Sequence, residues 1–214
     1  MHTPRSRLKW IPLVATLLAL CACKGFRSGG EDGSLPELLL TRDDAISSVT
    51  SCEAFLATIP DHEIVEEVNN MRIASDYQEC LSGSILSRLE PPERSEYAGN
   101  FGDVVVSQLA LGSFPSSIRP RLEADDATFA SIGMTASAVS AETVEIDEED
   151  WLYRFSLRGR GDVDRDGSEE LVVAFVDQAK AGDYFSTQIL ILKRSSSDPL
   201  WVGVDGVDFI RATR

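Results

Sequence analysis

Gly161-Asp162-Val163-Asp164-Arg165-Asp166-Gly167-Ser168-Glu169-Glu170-Leu171-Val172-Val173 decides how the chain is read. Asp162, Asp164 and Asp166 stand at alternate positions, and Gly167 follows them. In a chain that wraps, side chains at loop positions 1, 3 and 5 turn inward, and a glycine at position 6 takes the sharp turn without a Cβ penalty. Position 7 offers a backbone carbonyl, here that of Ser168. Position 9 is Glu170, whose carboxylate can reach an ion directly or through water. Calcium takes such oxygen ligands in irregular geometry, so the spacing predicts a Ca2+ loop with Asp162, Asp164, Asp166, Ser168 and Glu170 as its metal ligands. The alternative is an ion-free acidic turn, which would set five carboxylates within nine residues against one another.

The flank on the C-terminal side separates this loop from a helical EF-hand. That motif needs a bidentate Glu at position 12, where Val173 stands, and an exiting amphipathic helix, where residues 171–176 are apolar and rich in β-branching. The loop therefore leads into a strand. Over residues 161–175 it resembles the calcium loops of FG-GAP and VCBS repeats, with Glu170 where Asp is usual. The resemblance implies a five-ligand loop on a β-meander. The chain holds one copy, whereas a propeller needs several blades, so the repeats' adhesive role does not carry over with it.

Outward from the loop, the period from about residue 139 onward is two. Val144 and Ile146 open a strand, Glu148-Glu149-Asp150 forms an acidic turn, and residues 151–158 place Tyr153, Phe155 and Leu157 on one face. Ala181-Gly182 reads as a hairpin turn before an alternating run at 184–193, and residues 201–210 read as a last edge strand. A three- to five-stranded antiparallel meander follows.

Earlier in the chain the pattern turns helical. Thr41 with Asp44 makes a capping-box-like start, and Ile46, Val49, Cys52, Leu56 and Ile59 recur at three- and four-residue steps. Pro60 stops or kinks this helix, and Pro60-Asp61-His62-Glu63 reads as the next helix start. A second helix spans about 76–89, while 64–73 fits helix or strand equally. Pro91-Pro92 begins a break, 104–111 is apolar and of either type, and 125–132 reads as a short helix.

The first residues look like an address. Arg5, Arg7 and Lys9 precede an apolar run at 10–20 that is too short to span a bilayer. Leu20-Cys21-Ala22-Cys23 then resembles the lipobox of bacterial lipoproteins, with Cys23 the better lipidation site because small Ala22 precedes it and bulky Leu20 precedes Cys21. The resemblance implies removal of the signal peptide 1–22 and a Cys23 carrying diacylglyceryl and N-acyl chains, which together hold a protein on a membrane nearly irreversibly. The alternative is an ordinary signal peptide that releases a soluble protein. Lys24 after the cysteine, rather than Asp, points to the outer membrane. Residues 23–35 are Gly/Ser-rich and read as a flexible tether of roughly 20 Å reach.

Charge and cysteine count narrow the setting. The chain carries −15, and loss of three cations with the signal leaves −18, a polyanion that does not seek nucleic acid. Cys52 and Cys80 are then the remaining thiols, and an even pair outside the cytoplasm reads as a disulfide. Zinc would need four ligands, and His62 is the sole histidine after residue 22.

Catalytic signatures are wanting: there is no Gly-x-Ser-x-Gly elbow, His-Glu-x-x-His pair or phosphate-cradling glycine loop. Trp151, Trp201 and Tyr184 fit core or sheet-edge packing better than a ligand platform, and Glu66-Glu67 and Glu148-Glu149 fit solvated surface better than a glycosidase pair. The expected fold is α+β: a helical part at 36–98 with one disulfide, a mixed connecting part at 99–138, and a small antiparallel β-meander at 139–214 carrying the calcium loop. The expected function is a cell-envelope lipoprotein with a structural calcium, binding or scaffolding an envelope protein or glycan partner, or adhering through it. The alternative is an envelope hydrolase acting through acidic residues.

Overall fold

The computed structural model of the chain describes residues 34–195 and 197–213. The signal sequence, Cys21, the lipidation site Cys23 and nearly all of the tether lie outside the described residues. Within them helices and sheets are mixed, as the α+β reading requires, but the sheet is larger than a small meander.

The chain opens with a hairpin, not a helix. Strands β1 (Leu38–Arg42) and β2 (Ala45–Val49) pair antiparallel, with Thr41 opposite Ile46 and Arg42 opposite Ala45. Asp43 and Asp44 both adopt positive φ (50° and 64°), the two-residue loop geometry that matches strand twist. This overturns the helical reading of Thr41, Asp44, Ile46 and Val49. The apolar steps there mimic a helix, yet Leu38 and Leu40 are fully buried and Ile46 is 67% exposed, as alternating strand faces require.

The first helix, α1 (Cys52–Thr58), starts where Ser51 Oγ accepts from the Ala54 amide at 3.2 Å. It passes into a 3-10 turn over Ile59–Asp61, which contains Pro60. His62 follows in extended conformation and starts no helix; strand β3 (Glu63–Ile64) pairs with β1 instead. Helix α2 (Val68–Leu86) begins earlier than expected and settles most of the ambiguous 64–73 stretch as helix. Asn70 fixes that early start by bonding the Leu39 amide (2.7 Å) and the Leu39 and Val65 carbonyls (3.0 and 2.8 Å). The disulfide joins Cys52 of α1 to Cys80 of α2, with Cα atoms 5.4 Å apart.

Among the described residues the main sheet has seven strands, in the order β4-β10-β9-β8-β7-β6-β5. These are β4 (Leu109–Ala110), β5 (Ala138–Val139), β6 (Thr143–Asp147), β7 (Trp151–Gly161), β8 (Glu170–Ala179), β9 (Phe185–Lys193) and β10 (Trp201–Asp205). All neighbours run antiparallel except β4 beside β10. β10 is therefore not the edge, and it ends at Asp205, whose Oδ1 accepts from the Val207 amide (2.8 Å) to cap helix α4 (Gly206–Ala212). The connecting part supplies a short helix α3 (Phe101–Asp103), a π turn over Val104–Gln108, and then β4. No helix forms over 125–132, where Thr128 and Ser131 bond each other's amides in a chain of turns. Gly112 permits this segment to cross closely, since a Cβ there would stand 2.6 Å from the Asp125 backbone.

Both faces of the sheet are covered. Tyr153, Phe155, Val173, Phe175, Leu190 and Leu192 pack under Phe101, Val105, Phe114 and Phe129 of the connecting part. On the other face, Val172, Ala174, Ile189 and Ile191 meet Tyr77, Leu81 and Ile85 of α2 and Phe209 and Ile210 of α4. This explains why β8 and the second half of β9 read as continuous apolar runs: strands buried on both sides need no alternation. Leu38, Leu40 and Phe55 belong to the same second core, so the N-terminal part and the sheet fold around shared side chains.

Candidate metal centre

The acidic loop connects β7 to β8. Two residues with positive φ, Arg165 (66°) and Gly167 (83°), curl it, and the aspartates stabilise the curl by accepting backbone amides. Asp162 Oδ1 accepts from Arg165 N (2.7 Å) and its Oδ2 from Gly167 N (2.9 Å). Asp164 Oδ1 accepts from Asp166 N (3.3 Å), and Asp166 Oδ1 from Ser168 N (2.7 Å). As a result one carboxylate oxygen from each of Asp162, Asp164 and Asp166 lies within 4.8 Å of the others, close enough for one metal ion to touch all three. Exposure is graded across the group. Asp162 is buried, Asp164 half-buried and Asp166 exposed, so the cluster opens to solvent at Asp166.

The other two expected ligands stand differently. Glu170 is buried at the start of β8, outside that converging trio, and its Oε2 accepts from Val163 N (2.9 Å). Burial pushes its carboxyl up to about 7, with Asp164 and Asp166 adding to the rise against the Val163 hydrogen bond. Asp166 is held below the usual carboxylate range, chiefly by the Ser168 amide. Ser168 sits under a guanidinium, its hydroxyl accepting from Arg94 Nη2 at 3.0 Å. Glu169 points away to a different partnership, receiving the Ser95 hydroxyl and facing Arg160 at 3.8 Å.

Charge is partly balanced within the protein. Lys193 of β9 places its ammonium against Asp164 Oδ2 and over the Phe209 ring, 5.2 Å from the centroid. Arg165 pairs with Glu90 at 3.0 Å.

Sequence reading missed the segment that backs the loop. Glu90 and Asp162 exchange both backbone hydrogen bonds at 2.9 Å, Glu93 and Arg94 donate to Gly167 O, and Glu169 donates to Arg94 O. Pro91 and Pro92 have no amide hydrogen to give, so the pairing is carried by the residues on either side of them. Gly161 admits the approach, because a Cβ there would stand 2.8 Å from Glu90 O. The one visible signal was the proline pair itself, which stiffens an extended chain without naming its partner.

A second polar cluster also went unread. Asp177, fully buried on β8, accepts from Ser117 N (2.6 Å), Ser117 Oγ (2.7 Å) and Tyr184 Oη (3.4 Å), while burial raises its pKa. It pins the loop at 115–118 to the sheet. An aspartate interrupting the apolar run of β8 was the available signal. Of the aromatic residues singled out, Trp201 is wholly buried, whereas Trp151 stacks near Tyr153 and meets Tyr184 edge-on with centroids 5.3 Å apart. His62 Nδ1 lies 3.0 Å from Thr58 O, an ordinary turn contact.

No helix among the described residues is long and apolar enough to cross a membrane. Comparison with known proteins finds no matching family model, no matching curated protein and no matching solved structure.

Proposed function

We propose that this chain is a lipid-anchored cell-envelope protein whose domain is stabilised by one structural Ca2+ and serves as a binding or scaffolding module rather than an enzyme. The observation that carries the ion is the convergence of Asp162, Asp164 and Asp166 oxygens within 4.8 Å. Their donor set is all oxygen, which selects a hard cation, and the irregular curl of a loop suits calcium better than the strict octahedron magnesium demands. Ser168 would add its carbonyl to the same ion, and Glu170, which lies outside the converging trio, would reach it through water. The anchor is Cys23, following the lipobox-like Leu20-Cys21-Ala22-Cys23, and Lys24 favours the outer membrane.

The role of the ion is mechanical. It joins the β7–β8 connection to itself and, through Gly167, to the backing segment at 90–95. At an affinity near 0.1 mM, of the extracellular kind, 1 mM calcium adds on the order of 1.4 kcal/mol. The test is thermal unfolding of the full-length protein in detergent with calcium and with chelator. A rise of about 3–6 °C supports the reading, and an unchanged midpoint opposes it. A glycosidase needs two carboxylates flanking a cleft, whereas the buried Asp177 spends its oxygens on Ser117 and Tyr184.

A further inference from the structure

β9 is paired along most of its length with β8 but only over its C-terminal half with β10, whose register runs from Val202 opposite Lys193 to Asp205 opposite Leu190. The chain then leaves the sheet as α4. Residues 185–188 are left with an open edge, no described strand lying beside them on that side, and Gly206 at the start of α4 closes the edge at Ile189, where a Cβ would stand 2.9 Å from Ile189 O. Backbone alternation fixes which groups face it. Tyr184 O accepts from Ala179 N, so even-numbered residues here turn their amides and carbonyls toward β8 and odd-numbered ones turn theirs to the vacated side. Ile189 N, on that side, is met by Gln78 Oε1 at 3.2 Å. Phe185 and Thr187 point the same way.

The edge borders an open groove of about 1140 Å³ that is also lined by residues 63–68, which include β3, itself the outer strand of its own sheet. Ile46 (67%), Val68 (45%) and Tyr184 (44%), half of the large apolar side chains exposed among the described residues, line this one groove. Its charge is lopsided. Asp44, Glu63, Glu66, Glu67, Asp183 and Asp205 line it against Arg211 and His62. The Arg211 guanidinium is already committed to Pro60 O, His62 O and Asp208, and Asp183 has Arg72 at 3.6 Å. Hydrogen bonding is also incomplete in its walls: Ser116 Oγ, Thr187 Oγ1 and Gln188 Oε1 are buried atoms without a partner among the described residues.

We propose that this groove binds an extended, basic segment of a partner protein, which adds a strand to the open edge of β9 and sets lysine or arginine side chains against the surrounding carboxylates. The unpaired edge asks for alternating amides and carbonyls, as a peptide strand supplies, and alternate side chains of that strand would meet the apolar and acidic positions. A polyamine would answer the charge but not the edge. The open stretch is about 13 Å long, the span of four strand residues. The inference rests on the binding-module reading and names its partner class; it does not require the ion.

The test uses the full-length protein in detergent and a fluorescent seven-residue peptide alternating lysine and valine, titrated by anisotropy with calcium and again with chelator. Saturable binding is expected, with new hydrogen-exchange protection at the Phe185 and Thr187 amides. Glu66→Lys with Glu67→Lys in exposed positions should weaken it about tenfold, and so should Thr187→Pro, since proline is tolerated on a strand edge while removing the outward donor. A peptide with alternate amides methylated should lose binding whether or not the proline variant folds. Equal binding of a glutamate–valine peptide, equal binding of the methylated peptide, complete competition by spermine without edge protection, or self-association through this edge would each overturn the proposal. Absent peptide binding beside intact calcium stabilisation would sink the groove alone; absent calcium stabilisation beside peptide binding would sink the ion alone.

Discussion

Asp162 and Asp166 both belong to the converging trio, yet the structure gives them different work, and replacing them separates the loop's own stability from the ion's. Asp162 is buried and accepts two backbone amides, from Arg165 and Gly167 at 2.7 and 2.9 Å. Hydrogen bonds to a charged group are worth about 1.5 kcal/mol each at the lower end, so Asp162→Ala should cost about 3 kcal/mol even with chelator present. For a chain of this size that lowers the melting midpoint by about 6–12 °C. Asp166 is exposed and accepts one amide, from Ser168, which the carbonyl of an asparagine can also accept. Asp166→Asn should therefore stay within about 0.5 kcal/mol of wild type in chelator and lose only the added stability that calcium confers. The assay is far-ultraviolet circular dichroism during heating, each protein with calcium and with chelator. An Asp162→Ala protein that melts with wild type in chelator would refute the reasoning, because the curl of the loop would then not depend on that carboxylate.

Burial raises Glu170 from 4.5 to about 7, so in the ion-free protein its contribution to stability is complete below 4.5 and is lost as pH rises through 7. Calcium favours the ionised carboxylate, so the calcium-induced rise in midpoint should be larger at about pH 8 than at about pH 5; an equal rise at both would remove Glu170 from the ligand set. Opening the Cys52–Cys80 bridge, by reduction or by Cys80→Ser, should lower stability by roughly 3–4 kcal/mol for its sequence separation of 28, read as a shifted denaturant midpoint. Asp177→Ala leaves the Ser117 amide and hydroxyl without their acceptor and should cost about 2–3 kcal/mol, with faster amide exchange over 115–118; exchange unchanged there would mean the loop is held otherwise.

Legibility in the sequence followed the range of the interactions. The acidic loop and the β7–β8 connection were readable because their determinants lie within a dozen residues: alternate aspartates, a glycine at positive φ and an apolar run. The disulfide was readable from an even count of cysteines. The opening hairpin was misread because a two-residue Asp43-Asp44 turn carries no glycine, and Ile46, Val49 and Cys52 happen to fall at helical steps. The early start of α2 was hidden because its determinant is Asn70 reaching Leu39, a contact across thirty-one residues. The parallel pairing of β4 with β10 and the backing of the metal loop by residues 90–95 are likewise long-range. Neither leaves a periodic trace. The groove beside β9 arises where β10 stops short at Asp205, a consequence of the helix cap there rather than of any motif.

Direct titration of calcium into the chelated, dialysed full-length protein, followed by calorimetry, tests the central claim most closely. The account predicts one site per chain with a dissociation constant near 0.1 mM, abolished when Asp164→Asn and Asp166→Asn are combined. No binding heat in the wild-type protein, or the same isotherm in the double variant, would contradict it.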